Sequence, residues 1–202
     1  MIELNEAFGF LAIQSDNMDR AVGLIQGIKE FCNRLPNANL QQINLPDFCL
    51  FYWSRTNNPY QADTGFNTNK PANQNVHTFL IGNTYESDRA SVNNHDDWCG
   101  LNGRYTWLQW QADSKTLLAT TDFLGIRPLY YLHADRALLI SNEVFPLVKS
   151  GYFKNEINPT GYVQMLEKGY CLGSNTLFKT IKWLPPGSKM VYSNHNLKIT
   201  SV

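Results

Sequence analysis

Residues 121–131 read Thr-Asp-Phe-Leu-Gly-Ile-Arg-Pro-Leu-Tyr-Tyr, and this stretch decides how the rest of the sequence is interpreted. Gly125 stands where a turn needs positive φ or a close approach of two backbones, both of which glycine allows. Pro128 fixes φ at the entrance of an apolar strand at 129–132, at a place that tolerates a missing N–H. The stretch therefore predicts a tight turn leading into a strand, and Asp122 is the one member that could also serve a site.

The sequence outside this stretch also predicts mainly strands. Apolar runs typical of buried strands occupy 7–13, 48–53, 77–81, 105–110, 116–120 and 137–140. Turn-rich residues at 111–115, 133–136 and 193–196 join neighbouring strands into predicted hairpins.

Helical patterns are fewer, and they cluster rather than alternate with strands. They lie between Asp16 and Leu35, at 143–149 and at 159–168. This arrangement predicts an α+β fold rather than a doubly wound sheet. Residues 54–74 have little to bury and are interpreted as a long loop, either a mobile segment or the lid of a pocket.

Composition excludes several classes of function. Charged residues make up only 17% of the 202 residues, and 17 basic side chains balance 17 acidic ones. Such a chain lacks the basic surface that nucleic acid or anionic lipid requires. The apolar run at 7–13 is much shorter than a membrane span, and no cationic region precedes it. The length and the 43% hydrophobic content predict one domain with its own core.

Cysteine and histidine spacing predicts no metal site. The four cysteines are scattered and form no CxxC pair: Cys32, Cys49, Cys99 and Cys171. Such cysteines are usually small buried apolar groups, and a reduced, cytoplasmic environment is favoured over disulfide bonding, which the sequence leaves open. The four histidines lack ligand spacing, and His95-Asp96-Asp97 is the only local cluster.

Four motifs together resemble one family. Residues 101–107 resemble its LDGMFAF strand, residues 121–131 its RDHLGIKPLYY segment, residues 140–143 the Ala-Ser-Glu that opens the next helix, and residues 184–187 a late Pro-Pro-Gly turn. Their order and spacing are similar to those of the N-terminal glutaminase domain of asparagine synthetase and its relatives. The resemblance is strong over 101–190 and weaker over 5–100.

The resemblance implies a fold and a domain organisation. The family's domain is a class II glutamine amidotransferase with the Ntn-hydrolase fold, a four-layer αββα sandwich of two antiparallel sheets. We therefore expect residues 1–202 to form one such domain, with the strand at 7–13 central in one sheet. Phe8, Phe10, Leu11, Trp107, Leu118, Leu129 and Leu139 are the expected core residues.

The resemblance also implies a nucleophilic cysteine just before the first strand, and this sequence lacks it. In the family, the cysteine thiolate attacks the side-chain amide of glutamine, and the free α-amine of the same residue acts as general base. Alignment through residues 8–10 places Asn5 at this position, and a carboxamide is not a nucleophile. Because the bulky Ile2 disfavours removal of Met1, no short nucleophilic residue is expected at the amino terminus.

The implied oxyanion hole has also lost a donor. The family's NGEIYN motif, which offers an Asn side chain and a Gly N–H to the tetrahedral intermediate, corresponds to residues 81–86 here. Ile81 replaces the Asn donor, whereas Gly82 and Tyr85 are retained. Loss of one such donor typically lowers the rate by about 100- to 1000-fold.

Two further residues are candidates for substrate binding. Arg55 matches the arginine that grips the substrate carboxylate, although it could equally be a solvated loop arginine. Asp88 is a weak match for the acidic residue that holds the amino group of glutamine, and the pair Asp96-Asp97 is the alternative.

These features predict a degenerate, inactive glutaminase-type domain of an ATP-dependent amide-forming enzyme such as asparagine synthetase, with a scaffolding or interface role. The chain has no SGGxDS-type pyrophosphate loop, so we expect it to bind neither ATP nor any other cofactor. The expected partner is an ATP-dependent synthetase domain or subunit outside these 202 residues, which would then be a piece of a longer enzyme of asparagine biosynthesis.

Two alternatives stay open. The chain could be a stand-alone module that binds an amino acid or a peptide, or an active glutamine hydrolase with displaced catalytic groups. An amino-acid ligand and a homodimer are both compatible with a stand-alone binding module.

Overall fold

The computed structural model describes residues 2–3, 7–16, 27–30, 33, 38–55, 75–85, 102–134 and 136–201. The described residues form two compact units. The first unit draws them from Met1–Ala7, Asn57–Arg127 and Pro186–Val202, and the second from Phe8–Thr56 and Pro128–Pro185. Each unit is built on one six-stranded sheet.

The sheet of the first unit consists of β1 (Ile2–Glu3), β5 (Val76–Thr84), β6 (Gly103–Gln111), β7 (Thr116–Thr121), β11 (Ser188–Ser193) and β12 (Asn196–Ser201), in the order β1-β5-β6-β7-β11-β12. Its strands pair antiparallel except for β1, which runs parallel to β5. Leu80, Tyr105, Trp107 and Leu118 form a buried cluster on one face. The predicted hairpins at 105–120 and 189–200 are both present.

The turn between β11 and β12 shows why the second hairpin was predictable. Asn194 and His195 have φ of 49° and 64°, so both central residues of this two-residue loop are left-handed. Loops of this kind match the right-handed twist of the flanking strands, and asparagine tolerates the conformation better than most residues.

The stretch at 121–131 forms the turn that its sequence predicts, organised by Asp122. The Asp122 side chain is only 1% exposed, and its Oδ1 accepts the backbone N–H groups of Leu124 (3.1 Å) and Ile126 (3.0 Å). The backbone carbonyl oxygen of Asp122 accepts the N–H groups of Gly125 and Gly187, both at 3.0 Å. The turn at 121–131 and the Pro-Pro-Gly turn are therefore two halves of one hydrogen-bonded structure.

Gly125 is required at this junction. Its φ is +61°, and an added Cβ would lie 2.7 Å from Cγ of Pro186. A side chain at position 125 would thus meet both backbone strain and a proline ring.

The sheet of the second unit consists of β2 (Ala7–Ser15), β3 (Ala38–Leu45), β4 (Phe48–Arg55), β8 (Leu129–Ala134), β9 (Ala137–Ser141) and β10 (Ile181–Leu184), in the order β10-β8-β9-β2-β4-β3. The strand β2 lies inside this sheet, as predicted. Two helices belong to this unit, α1 (Val144–Val148) and α2 (Pro159–Lys168), and residues 27–30 are also helical. No helix in the described ranges is long and apolar enough to cross a membrane.

The core of the second unit lies on the face of β2 that carries Leu11 and Ile13. These side chains pack with Trp53, Leu132 and Leu139, and all five are fully buried. Of the seven predicted core residues, six are buried: Phe10, Leu11, Trp107, Leu118, Leu129 and Leu139. The side chain of Phe8 lies outside the described residues.

Several predictions differ from the structure or fall outside it. The strands β3 and β10 were not predicted, because β3 is an edge strand with mostly polar, exposed side chains and β10 has only four residues. The predicted loop at 54–74 begins too early, since β4 continues to Arg55. Residues 56–74, and most of the helix predicted between Asp16 and Leu35, lie outside the described residues.

Candidate functional site

The strand β5 carries the predicted oxyanion residues, and β1 lies beside it. Ile2 pairs with Phe79 and Glu3 pairs with Leu80, the residue directly before Ile81. The backbone that leads toward position 5 is therefore adjacent to the strand that leads into the Ile81–Gly82 pair. Asn5 itself lies outside the described residues.

Ile81 is a core residue. Its side chain is fully buried, and it lies directly opposite Thr106 in the β5–β6 ladder. The Oγ1 atom of Thr106 is buried and has no hydrogen-bond partner among the described residues. An aliphatic side chain donates no hydrogen bond, so position 81 offers no side-chain donor to a developing oxyanion.

Gly82 has a conformation and surroundings that only glycine fits. Its φ is +112°, a region that L-residues rarely adopt. An added Cβ would overlap the carbonyl oxygen of Arg104 and lie 2.8 Å from Nε of Arg127. Tyr85, three residues further, has its side chain 67% exposed.

Arg127 belongs to this site, although sequence analysis did not single it out. Its side chain is half-buried and passes over Gly82. Burial lowers the pKa of Arg127, the charge of Arg104 lowers it further, and Asp122 acts in the opposite direction. The site therefore combines an unusual glycine with an arginine that interacts with a second arginine and with one buried carboxylate.

The structure does not describe the side chains of the two predicted substrate-binding residues, Arg55 and Asp88. Arg55 is the last residue of β4 in the second unit, where its backbone pairs with Ala38, so it is a strand residue rather than a loop residue. The side chain of Arg55 and the whole of Asp88 lie outside the described residues. Their proposed roles in substrate binding stay predictions.

The two cysteines that the structure describes are both free, and neither resembles an activated nucleophile. Burial raises the pKa of the Cys49 thiol to about 11, and its Sγ donates to Oδ1 of Asn44 at 3.0 Å. The Sγ of Cys171 donates to the carbonyl oxygen of Gly161 at 3.4 Å. Because the Cys49 thiol is held in the neutral form, it is a poor nucleophile. No cluster of potential metal ligands occurs within the described ranges.

The second unit exposes an apolar surface along α2, here called the α2 surface. It comprises Tyr162 (52% exposed), Val163 (49%), Leu166 (70%) and Tyr170 (58%). The helix is anchored on its other side, where Gly161 is buried against the carbonyl oxygen of Thr176.

A cavity of about 480 Å³ adjoins this surface. Met165 and Tyr170 line it from the α2 side, Tyr130 and Trp183 line it from the sheet, and Phe178 lines it from the segment before β10. Exposed apolar areas of this kind commonly mark contact surfaces.

Comparison with solved structures identifies the fold. The chain is similar to glutamine phosphoribosylpyrophosphate (PRPP) amidotransferase from Bacillus subtilis, solved in complex with ADP and GMP (TM-score 0.52, 10% identity, 96% of this chain and 49% of that one). A structure described as the allosteric regulatory enzyme of purine biosynthesis matches at a TM-score of 0.54 with 11% identity, over 96% of this chain and 48% of that one. The class is therefore the α+β, Ntn-hydrolase-type amidotransferase fold, as predicted.

The family follows from the sequence itself. The glutamine amidotransferase domain family matches residues 93–201, more than half of the chain, and the chain belongs to this family. The matched region contains the four motifs on which the resemblance was based.

Two curated relatives match about half of the chain. Asparagine synthetase [glutamine-hydrolyzing] 3 of Bacillus subtilis (strain 168) is 26% identical over 100 residues, 49% of this chain and 16% of the relative. Amidase chyE of Penicillium rubens is 27% identical over 92 residues, 45% of this chain and 13% of the relative. The matched regions span about one-sixth or less of these relatives.

Proposed function

We propose that this chain is an amidotransferase-type domain that does not hydrolyse glutamine and serves as a structural partner of an ATP-dependent amide-forming domain or subunit. The observation that carries the proposal is Ile81, a fully buried aliphatic side chain at the position that the family resemblance assigns to the oxyanion donor. It belongs to the core of the first unit and offers no hydrogen bond to a reaction intermediate.

The nucleophile supports the same proposal. Asn5 aligns with the catalytic cysteine of the family, and its carboxamide cannot attack an amide carbon. Cys49 does not substitute for it, because its raised pKa keeps the thiol neutral at physiological pH. Loss of one oxyanion donor alone lowers the rate by about 100- to 1000-fold, and loss of the nucleophile removes the covalent route altogether.

The α2 surface supports the structural role. Its exposed apolar side chains lie beside a cavity that could accept a projecting side chain of a partner. The curated relative named as a glutamine-hydrolysing asparagine synthetase extends far beyond the matched region, which makes an amide-forming domain the partner that we propose. Covering the α2 surface would remove several aromatic and aliphatic groups from water.

Glutamine hydrolysis is the direct test of inactivity. Purified chain incubated with glutamine should release no ammonia above a buffer control, while a glutamine-hydrolysing asparagine synthetase assayed in parallel confirms that the assay works. Clear release of ammonia by the unmodified chain, at a rate proportional to its concentration, would overturn the proposal of an inactive site.

The structural role requires a separate test with an asparagine-synthetase-type adenylating domain. Leu166→Asp places a charge on the most exposed residue of the α2 surface and should weaken association at least tenfold by isothermal titration calorimetry. Lys198→Asp, on the exposed strand β12, is the matched control and should leave the affinity within twofold. Absence of any complex, or equal weakening by both variants, would contradict an interface on α2.

A further inference from the structure

Arg127 of the first unit lies near a second arginine, Arg104, and near a carboxylate, Asp122, that is already engaged. Asp122 accepts backbone N–H groups through both oxygens, with Oδ1 bound to Leu124 and Ile126 and Oδ2 to the N–H of Arg127 at 3.4 Å. The guanidinium of Arg127 makes no hydrogen bond or ion pair with any residue that the structure describes. Among the described residues, the charge around Arg127 is therefore unbalanced toward positive.

This imbalance is unfavourable without a ligand. Burial and the neighbouring charge of Arg104 both act against the protonated form of Arg127, which lowers its pKa. A guanidinium removed from water normally gains a carboxylate or phosphate partner, because its planar donors match two oxygens at once. The described part of the chain supplies no such partner here.

The backbone of β5 leaves room for the Arg127 side chain beside Gly82. Gly82 has no side chain, and the Nε atom of Arg127 lies 2.8 Å from where a Cβ would stand. The side chain of Arg104 is exposed, and that of Arg127 is partly exposed, so solvent ions can reach them. The half-buried guanidinium is thus held beside β5 and remains accessible from solution.

We propose that Arg127, assisted by Arg104, binds an oxyanion next to Gly82, either a carboxylate or a phosphate group. Arg127 would make the direct contact, and Arg104 would add a longer-range attraction. This site does not depend on glutamine hydrolysis and goes beyond the structural role proposed above.

The experiment measures anion-dependent stabilisation of the full chain at constant ionic strength. Acetate and inorganic phosphate are the probes, and acetamide and chloride are the controls, because acetamide has nearly the shape of acetate without its charge. A ligand that binds only the folded state raises the midpoint of thermal unfolding as its concentration increases. We expect acetate or phosphate to raise the midpoint and acetamide and chloride to leave it unchanged, and the more effective anion identifies the oxyanion that the site prefers.

Variants separate specific binding from a general salt effect. Arg127→Gln should weaken the apparent affinity by about 10- to 100-fold, the range expected for a lost charge-assisted hydrogen bond. Arg104→Gln should weaken the affinity for the anion less, by about 2- to 10-fold, because Arg104 contributes a longer-range electrostatic attraction and no direct contact. Arg136→Gln removes an exposed arginine of the second unit that pairs with Asp16 at 3.5 Å, and it should leave the affinity unchanged.

Three results would overturn the proposal. The first is that neither acetate nor phosphate stabilises the chain more than chloride does. The second is that Arg127→Gln retains full stabilisation by the anion. The third is that the Arg136→Gln control loses as much affinity for the anion as Arg127→Gln does. Circular dichroism confirms that each variant is folded. If Arg127→Gln does not fold, Arg127→Lys keeps the charge without the planar donors, and it should retain only part of the affinity.

Discussion

Asp122→Ala tests whether one buried carboxylate stabilises the turn within residues 121–131. The change removes the acceptor of two short backbone hydrogen bonds, 3.1 Å from Leu124 and 3.0 Å from Ile126, and of a longer one from Arg127. Hydrogen bonds to a charged acceptor contribute about 1.5–3 kcal/mol each. Leu124 and Ile126 are 69% and 49% exposed, so water can satisfy part of what is lost.

We therefore expect Asp122→Ala to lower the free energy of unfolding by about 2–4 kcal/mol, as measured by urea denaturation followed by tryptophan fluorescence. Asp122→Asn keeps one carbonyl oxygen for Leu124 and Ile126 and should lower it by only about 1 kcal/mol. Asp113→Ala is the matched control, because Asp113 is an exposed turn residue, and it should change stability by less than about 1 kcal/mol. A loss below about 0.5 kcal/mol for Asp122→Ala, or one no larger than that of Asp113→Ala, would refute this role.

Three further predictions concern backbone strain at Gly125, the reactivity of the Cys49 thiol and the proposed loss of glutaminase activity. Gly125→Ala should destabilise the chain by about 1–3 kcal/mol in the same urea assay, more than Gly173→Ala, because both have positive φ but only Gly125 faces a proline ring within 3 Å. Alkylation of Cys49, followed by peptide mass spectrometry, should stay slow at pH 8 and accelerate as the pH rises toward its pKa of about 11; rapid alkylation at pH 8 in the folded chain would contradict this. Deleting the four residues before position 5 together with Asn5→Cys should yield little glutaminase activity, and adding Ile81→Asn should raise it by about 10- to 1000-fold; an unchanged rate would show that position 81 is not the limiting defect.

Most of the sheets could be predicted because their signals are local. The hairpins at 105–120, 129–140 and 189–200 combine apolar runs with short turn sequences, and both parts of the signal lie within a few residues. The strand β3 escaped prediction because it lies at the sheet edge, where Gln41, Gln42 and Asn44 are exposed and no apolar period is imposed. Edge strands with polar side chains are a common protection against aggregation, and they carry a weak sequence signal for the same reason.

The site was less predictable than the fold, because its main contacts are not local. Gly82 and Arg127 are 45 positions apart, and nothing near either residue indicates that the guanidinium lies over the glycine. Likewise, Asp122 and Gly187, which share a backbone hydrogen bond, are 65 positions apart. The family resemblance identified these segments in the sequence. Only the structure shows that the turn at 121–131 places the Arg127 side chain beside β5, the strand that carries the predicted oxyanion residues.

The replacements that the family resemblance implies at positions 5 and 81 differ from the retained turn residues in the kind of constraint that acts on them. Asp122, Gly125 and Gly187 are tied to the backbone of the two turns, so changing them costs stability whether or not the chain catalyses a reaction. An oxyanion donor at position 81 serves only the reaction, and an isoleucine at the same place adds buried apolar surface. If hydrolysis has been lost, as we propose, replacing a polar donor by an aliphatic residue is favoured by core packing, whereas the turn residues are still required. Retained turns together with a filled oxyanion position are thus the pattern expected of a domain kept for its fold rather than for its chemistry.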